Sequence, residues 1–248
     1  MDQTPEKKGC KIVRGVISPL LANIYLHYVL DLWARQWRQR HACGDMVVVR
    51  YADDSVVGFR KRWQAQQFLE RLQERLASFG LSLNAAKTRL IEFGRFAIGK
   101  RRRRGLGKPE TFDFLGFTHC CSTKRNGDFQ VLRLTVKKRM RATLLAIRDE
   151  LQRRRHEPVR AQGQWLNRVV SGYFNYHAVP GNLKRLSGFR KAICRYWRQA
   201  LGRRSQRNRL QWSRFGLLTD HYIPSPKNAH PYPEDRFASH TRGRSRMR

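Results

Sequence analysis

Two short β-branched runs, separated by four residues, constrain this chain most. Met46-Val47-Val48-Val49-Arg50 and Ser55-Val56-Val57-Gly58-Phe59 flank Tyr51-Ala52-Asp53-Asp54. Each run is too short for a helix, and branched side chains suit a pleated surface, so the segment predicts a tight β-hairpin with two carboxylates at its tip. Adjacent carboxylates repel unless a cation lies between them. Hard carboxylate oxygens suit Mg²⁺, which keeps waters and takes its other ligands from phosphates. Two such ions roughly 3.5–4 Å apart can activate a hydroxyl and stabilise a leaving pyrophosphate. Asp also favours turns on its own account, so the pair alone leaves a plain solvated turn open.

Charge narrows the choice. The 248 residues hold 39 Arg and 13 Lys against 18 acidic residues, a formal net charge of +34. That excludes an ordinary neutral enzyme of small metabolites, while 40% hydrophobic residues are enough for a core and argue against disorder. A charge this large calls for a polyanion. Nucleic acid comes first, because guanidinium pairs with phosphate and stacks on bases, and an anionic membrane surface second. No apolar run approaches the length of a membrane span, and Met1 to Cys10 lack a hydrophobic signal region, so a cytoplasmic, ribonucleoprotein- or nucleoid-associated protein is expected. The five cysteines (10, 43, 120, 121 and 194) have no zinc spacing and read as free, mostly buried thiols. Cys120 and Cys121 sit next to each other on an expected strand and so point to opposite faces.

The rest of the chain falls into two parts. Ser18-Pro19 reads as a helix start, with Ser as N-cap and Pro at the first helical position. Leu20, Leu21, Ile24, Tyr25, Tyr28, Val29, Leu32 and Trp33 follow at helical spacing, to about Arg40. Trp63 to Phe79 predicts an amphipathic helix stopped by Gly80. Leu81–Leu83 reads as a short strand or link, and Thr88–Phe93 as a strand. Residues 94–110, with Arg101 to Arg104 among Gly and Pro, read as a mobile basic loop. Phe112–Phe117 resumes the sheet, Asn126-Gly127 signals a hairpin, and Gln130–Val136 is the return strand. Three helices then follow, over 137–155, 161–177 (Trp165, Val169 and Tyr173 inward) and 182–203. Residues 204–248 look weakly patterned and frayed. The fold class is α+β up to about 136 and all-α after it.

Tyr51-Ala52-Asp53-Asp54 between VVVR and SVVGF resembles the catalytic hairpin of reverse transcriptases. The run from Gly15 to Leu26 resembles the preceding palm helix of the group II intron-encoded enzymes. Gly80 to Thr88 and Phe114-Leu115-Gly116-Phe117 are similar to their next two blocks, and Trp165 to His177 resembles the maturase-specific helical domain that follows. The resemblance implies a partial reverse-transcriptase palm (antiparallel sheet with packed helices) over 15–136, an all-α thumb-like maturase domain over 137–215, a basic tail over 216–248, and a non-matching segment over 1–14. It implies Mg²⁺-dependent, RNA-directed DNA synthesis, with intron RNA, a DNA primer or target and deoxynucleoside triphosphates as partners. Asp53 and Asp54 would be the catalytic, metal-binding carboxylates. Tyr51 and Ala52 would lie beside the primer end or incoming nucleotide, Lys87 near the triphosphate, and Ser18, Pro19 and Asn23 under the nucleotide and template. Lys137, Lys138, Arg139, Arg141, Arg153, Arg154, Arg155, Arg203, Arg204 and Arg207 would contact intron RNA, in line with basic side chains interleaved with aromatics.

The sequence also departs from the family. The polymerase uses a third carboxylate upstream of the hairpin; Asp2, Glu6, Asp31 and Asp45 are the candidates, and neither Asp31, in mid-helix, nor Asp45, opening the hairpin strand, is placed like it. Ile12-Val13-Arg14 stands where a Pro-Gln-Gly run is typical, and the fingers pattern is absent. A truncated chain is therefore expected. It would polymerise only with a separate chain carrying the missing fingers and palm; otherwise it would be a non-enzymatic RNA-binding fragment or an inactive remnant.

Overall fold

The hairpin forms with the register its sequence dictates. In the computed structural model, which describes residues 17–204 and 211–232, β1 (Met46–Tyr51) pairs antiparallel with β2 (Asp54–Phe59) through a two-residue turn, with Tyr51 opposite Asp54 and Met46 opposite Phe59. Alternation puts Met46, Val48 and Arg50 on one face with Phe59, Val57 and Ser55. Val47, Val49 and Tyr51 share the other face with Gly58, Val56 and Asp54.

The described residues divide into two compact units, up to Leu90 and from Ile91 on. The boundary expected near 136 falls inside the second. The first unit begins with one helical rod: α1 (Ser18–Leu26), a π-turn (His27–Asp31) and α2 (Leu32–His41). Ile17, not Ser18, is the N-cap, and no side chain caps the end. Pro19 sits in the first turn, where its missing N–H costs nothing. Among the described residues, only the second half of the rod has a core to pack into. Val29, Leu30, Ala34 and Trp37 are buried with Met46 and with Phe68, Leu72 and Leu76 of α3 (Arg62–Ala77). Leu20, Leu21, Ile24, Tyr25 and Tyr28, read from the sequence as the same apolar stripe, are 44–63% exposed. Arg75 donates to the Val29 carbonyl within the π-turn at 3.2 Å, satisfying an acceptor where the helical ladder slips. Gly80, at φ +68°, ends α3, and Leu81 N–H closes back on the Leu76 carbonyl across it.

Residues 81–93 form no strand. The chain turns at Asn84–Lys87, and with no partner ladder beside it the expected Thr88–Phe93 strand stays irregular. In the second unit, the expected basic loop contains a two-turn helix, α4 (Ala97–Arg103). Arg and Lys are good helix formers, Ala97 is buried, and Gly105 at φ +67° lets Leu106 close on the Arg101 carbonyl. Phe112–Phe117 is not one strand. Leu115 and Gly116, at φ +47° and +79°, make a primed turn between β3 (Phe112–Phe114) and β4 (Phe117–Thr123). The Asn126-Gly127 hairpin leads to β5 (Phe129–Thr135) as expected, giving the antiparallel order β3-β4-β5.

Among the described residues four further α-helices complete this unit: α5 (Lys137–Arg153), α6 (Val159–His177), α7 (Leu183–Gly202) and α8 (Trp212–Tyr222). Leu151, Leu166, Val170, Leu186, Phe189, Ile193 and Trp197 form its core. The buried face of α6 is Gln162, Leu166, Val170 and Phe174, one position round from the expected one; Trp165, Val169 and Tyr173 flank it. Buried Gln162 is satisfied by the Trp197 indole N–H at 2.9 Å and the Arg154 carbonyl at 2.6 Å. The expected tail holds a helix, α8, because Phe215, Thr219 and Ile223 recur every four residues and are all buried. Cys43 is exposed and Cys120, Cys121 and Cys194 are half-buried, so the thiols are free but not mostly buried; Cys10 lies outside the described residues. Among the described residues no helix is long and apolar enough to cross a membrane.

Candidate active site and nucleic-acid surface

Asp53 occupies the turn and Asp54 opens β2, both solvent-exposed at the hairpin tip. Ala52 holds the turn's left-handed position at φ +52°, a strained place for a residue with a Cβ. Arg50 shows what supports it. Its Nη1 donates to the Ala52 carbonyl at 2.8 Å and to Asn23 Oδ1 at 3.0 Å. Its Nε and Nη2 make a forked pair with the two Asp31 oxygens at 2.7 and 2.6 Å. One guanidinium therefore ties the carboxylate-bearing turn to the helical rod at two points. Such planar two-bond pairs fix orientation as well as distance. The hydrogen bonds from Arg50 hold the Asp31 carboxyl below the usual carboxylate range, and Asp31 in turn raises Arg50.

This settles the role of Asp31. A carboxylate committed to a guanidinium on both oxygens is not a free metal ligand. It lies in the π-turn, whose extra residue changes which way the following side chains face. Asn23, expected under the nucleotide, accepts from Arg50, with its Nδ2 also donating to the Pro19 carbonyl at 3.1 Å. Ser18 and Pro19 are exposed at the start of α1, and Lys87 is exposed in the Asn84–Lys87 turn. Tyr51 is 64% exposed on the face that Asp54 shares. Two adjacent carboxylates suit the oxygen-only, water-retaining coordination of Mg²⁺. Among the described residues, however, no three metal-ligating side chains come together, so Asp53 and Asp54 fit part of a coordination shell.

The basic residues of the second unit divide by what they touch. Lys137, Lys138, Arg139 and Arg141 are exposed in the first two turns of α5, with no acidic residue in the first turn. Cations at a helix N-terminus oppose the helix dipole, so helix stability does not account for them. Arg203 is exposed. Arg153 pairs with Glu150 at 3.2 Å; Arg154 pairs with Glu150 at 2.7 Å and lies over the Trp165 ring at 5.1 Å. Arg155 donates to His156 at 3.1 Å, and Arg204 donates to the Glu157 carbonyl. Of these, Arg154 and Arg204 also brace the helical unit, while Arg153 and Arg155 pair locally. Arg207 lies outside the described residues. Burial lowers His177 to about 4 and raises Tyr173 to about 12, so both stay neutral near pH 7 and offer phosphates no charge.

Sequence reasoning missed Arg50 as the support of the turn. Its signal was an Arg at a core-facing position of an otherwise apolar strand. Comparison with known proteins fits this geometry. Residues 6–119 match the family described as reverse transcriptase (RNA-dependent DNA polymerase), a little under half of the chain, and the match contains the whole Asp53–Asp54 hairpin and the rod behind it. No curated protein matches the chain. The matched segment is similar to that family, whose enzyme class is RNA-directed DNA polymerase.

Proposed function

Taking the reverse transcriptase domain of residues 6–119 as premise, we propose that this chain carries the palm and the maturase-type RNA-binding part of a group II intron-encoded reverse transcriptase. The observation that carries the reading is the exposed Asp53–Asp54 pair on a hairpin tip held by Arg50. Bound Mg²⁺ would supply charge neutralisation for an attacking 3′-hydroxyl and a leaving pyrophosphate. Asp53 and Asp54 hold it, with Asp53 the more critical. Tyr51 and Ala52 lie beside the primer end or incoming nucleotide, and Ser18, Pro19 and Asn23 shape the floor beneath it, Asn23 through Arg50. Lys87 offers a cation, and a proton, to the leaving pyrophosphate. The coordination shell is completed by a carboxylate from outside the described residues.

A non-enzymatic reading has one observation in its favour. Asp31, the carboxylate nearest in sequence on the rod, is spent on Arg50. In that case RNA binding through Lys137, Lys138, Arg139 and Arg141 is the whole function, assisting intron folding for splicing. Binding to a group II intron transcript, compared with an unrelated structured RNA of equal length, tests the shared part of both readings. The expected result is tighter binding to the intron, with the double variant Lys137→Gln/Lys138→Gln flattening the log–log salt dependence by roughly 1.4–1.8, or about 0.7–0.9 per lost phosphate contact. Equal affinity for the two RNAs and an unchanged slope would remove the maturase assignment.

A further inference from the structure

A groove of about 380 Å³ runs between α7 and α8, a size at the small end of ligand sites, which span roughly 300–1,000 Å³. Its floor is apolar and aromatic: Phe215 is buried, and Trp212 opens α8 with 64% of its surface exposed. Arg198 lies over one face of the Trp212 ring at 3.5 Å. Arg190, at the same groove, is occupied, donating to Asp220 at 3.1 Å and to the Ile223 carbonyl. Lys191 and Arg195 are exposed on the α7 wall one turn apart, and among the described residues neither meets a carboxylate. Like charges at that spacing repel, so α7 gains nothing from them. The groove floor also contains Gly216, inside α8, where glycine weakens a helix. A Cβ there would meet nothing within 4 Å, so no close packing demands glycine; its effect is to leave the groove open.

We infer that this groove takes one unpaired nucleotide of a single-stranded nucleic acid. The base lies against Trp212 and Phe215, and the flanking phosphates meet Lys191 and Arg195. An aromatic floor under a cationic rim matches a ligand that pairs a π-face with an anion, and base–aromatic stacking tolerates any base. Lys191 and Arg195 belong to no charge run, so the sequence alone does not single them out. The inference rests on the nucleic-acid reading above and is narrower than it.

Photocrosslinking of the full chain to a single-stranded RNA bearing 5-iodouridine, with the site located by mass spectrometry, tests it. The expected crosslink is to Trp212. Gly216→Leu, which fills the groove, should lower single-strand affinity roughly tenfold, the range of one lost stacking contact. It should leave duplex RNA affinity unchanged. Lys191→Gln/Arg195→Gln, which changes only exposed side chains, should lower single-strand affinity and weaken the Trp212 crosslink while thermal melting stays at the wild-type temperature. Crosslinks that map elsewhere would overturn the inference. So would a folded Gly216→Leu variant with wild-type affinity, which would mean the rim binds phosphate by charge alone. Failure of the wild-type chain to bind any RNA would overturn the wider reading with it.

Discussion

Arg50 and Asp31 set the geometry of the hairpin tip. Arg50 is 14% exposed and Asp31 30%, so their forked pair is only partly shielded from solvent. Hydrogen bonds between charged groups in such places contribute about 1.5–3 kcal/mol. Arg50→Ala should therefore destabilise the first unit by about 2 kcal/mol in chemical denaturation and release the Ala52 turn, and Arg50→Lys should restore only part, since an ammonium cannot make the fork. A variant as stable as the wild type would show that the tip holds itself. Because the Asp31 carboxyl is lowered in the folded state, its stabilisation is present above the unfolded carboxylate range and lost as pH falls through its folded value. His177 works at higher pH. Its folded value of about 4 lies below the ordinary 6.5, so the unfolded chain binds the extra proton. Its stabilisation of the second unit is full above about pH 6.5 and is lost progressively down to about 4. Melting temperatures across that window should fall in the wild type and stay flatter in His177→Gln. Parallel profiles would mean the ring is more open to water than its packing on Tyr173 and Phe117 implies.

Among the elements, those with a strong local signal were legible. The hairpin around Asp53 and Asp54, the Asn126-Gly127 hairpin and helices α3, α5, α6 and α7 follow from alternation, turn chemistry or a sustained 3.6-residue period. The misses have identifiable causes. The Thr88–Phe93 strand needed a partner that the local sequence cannot supply. Leu115-Gly116 makes a primed turn with a leucine in a left-handed position, which turn preferences disfavour. Helix α8 fully buries Phe215, Thr219 and Ile223, too few to stand out among polar neighbours, and it exists because α6 and α7 give these and the half-buried Leu218 and Tyr222 a core. Its seat on α6 is close. A Cβ on Gly163 would stand 2.5–2.8 Å from the Tyr222 ring. Gly163→Ala should cost about 1–3 kcal/mol through overpacking, despite the better helix propensity of alanine. A neutral or stabilising result by denaturant titration would show that α8 does not pack there. At the site, the carboxylate pair was legible because two residues of one type stand together. The Arg50 support was not, because Asn23, Asp31 and Ala52 converge on it only in the folded unit.

At the scale of the whole molecule, a segment that matches the reverse transcriptase family precedes cationic helices in a chain of charge +34. The first unit leaves a good deal open. Among the described residues its sheet has two strands, fewer than the three that ordinarily stand alone, and the outer stripe of α1 and the outer face of β1 are exposed and apolar. Large exposed apolar faces mark places where something else packs, which agrees with a palm completed by further strands. On the proposed reading, Asp53 and Asp54 are working catalytic carboxylates in a site that residues outside those described complete. Primer extension on an RNA template with Mg²⁺ tests it most directly. The wild-type chain is compared with Asp53→Ala/Asp54→Ala, each with and without a separately expressed fingers-and-palm chain from a group II intron enzyme in which that chain's own hairpin carboxylates are replaced by alanine. Neither chain alone should extend the primer; the wild-type mixture should, and the double variant should abolish that extension. No extension from a soluble, RNA-binding wild-type mixture, or extension equal in the double variant, would contradict the proposed reading.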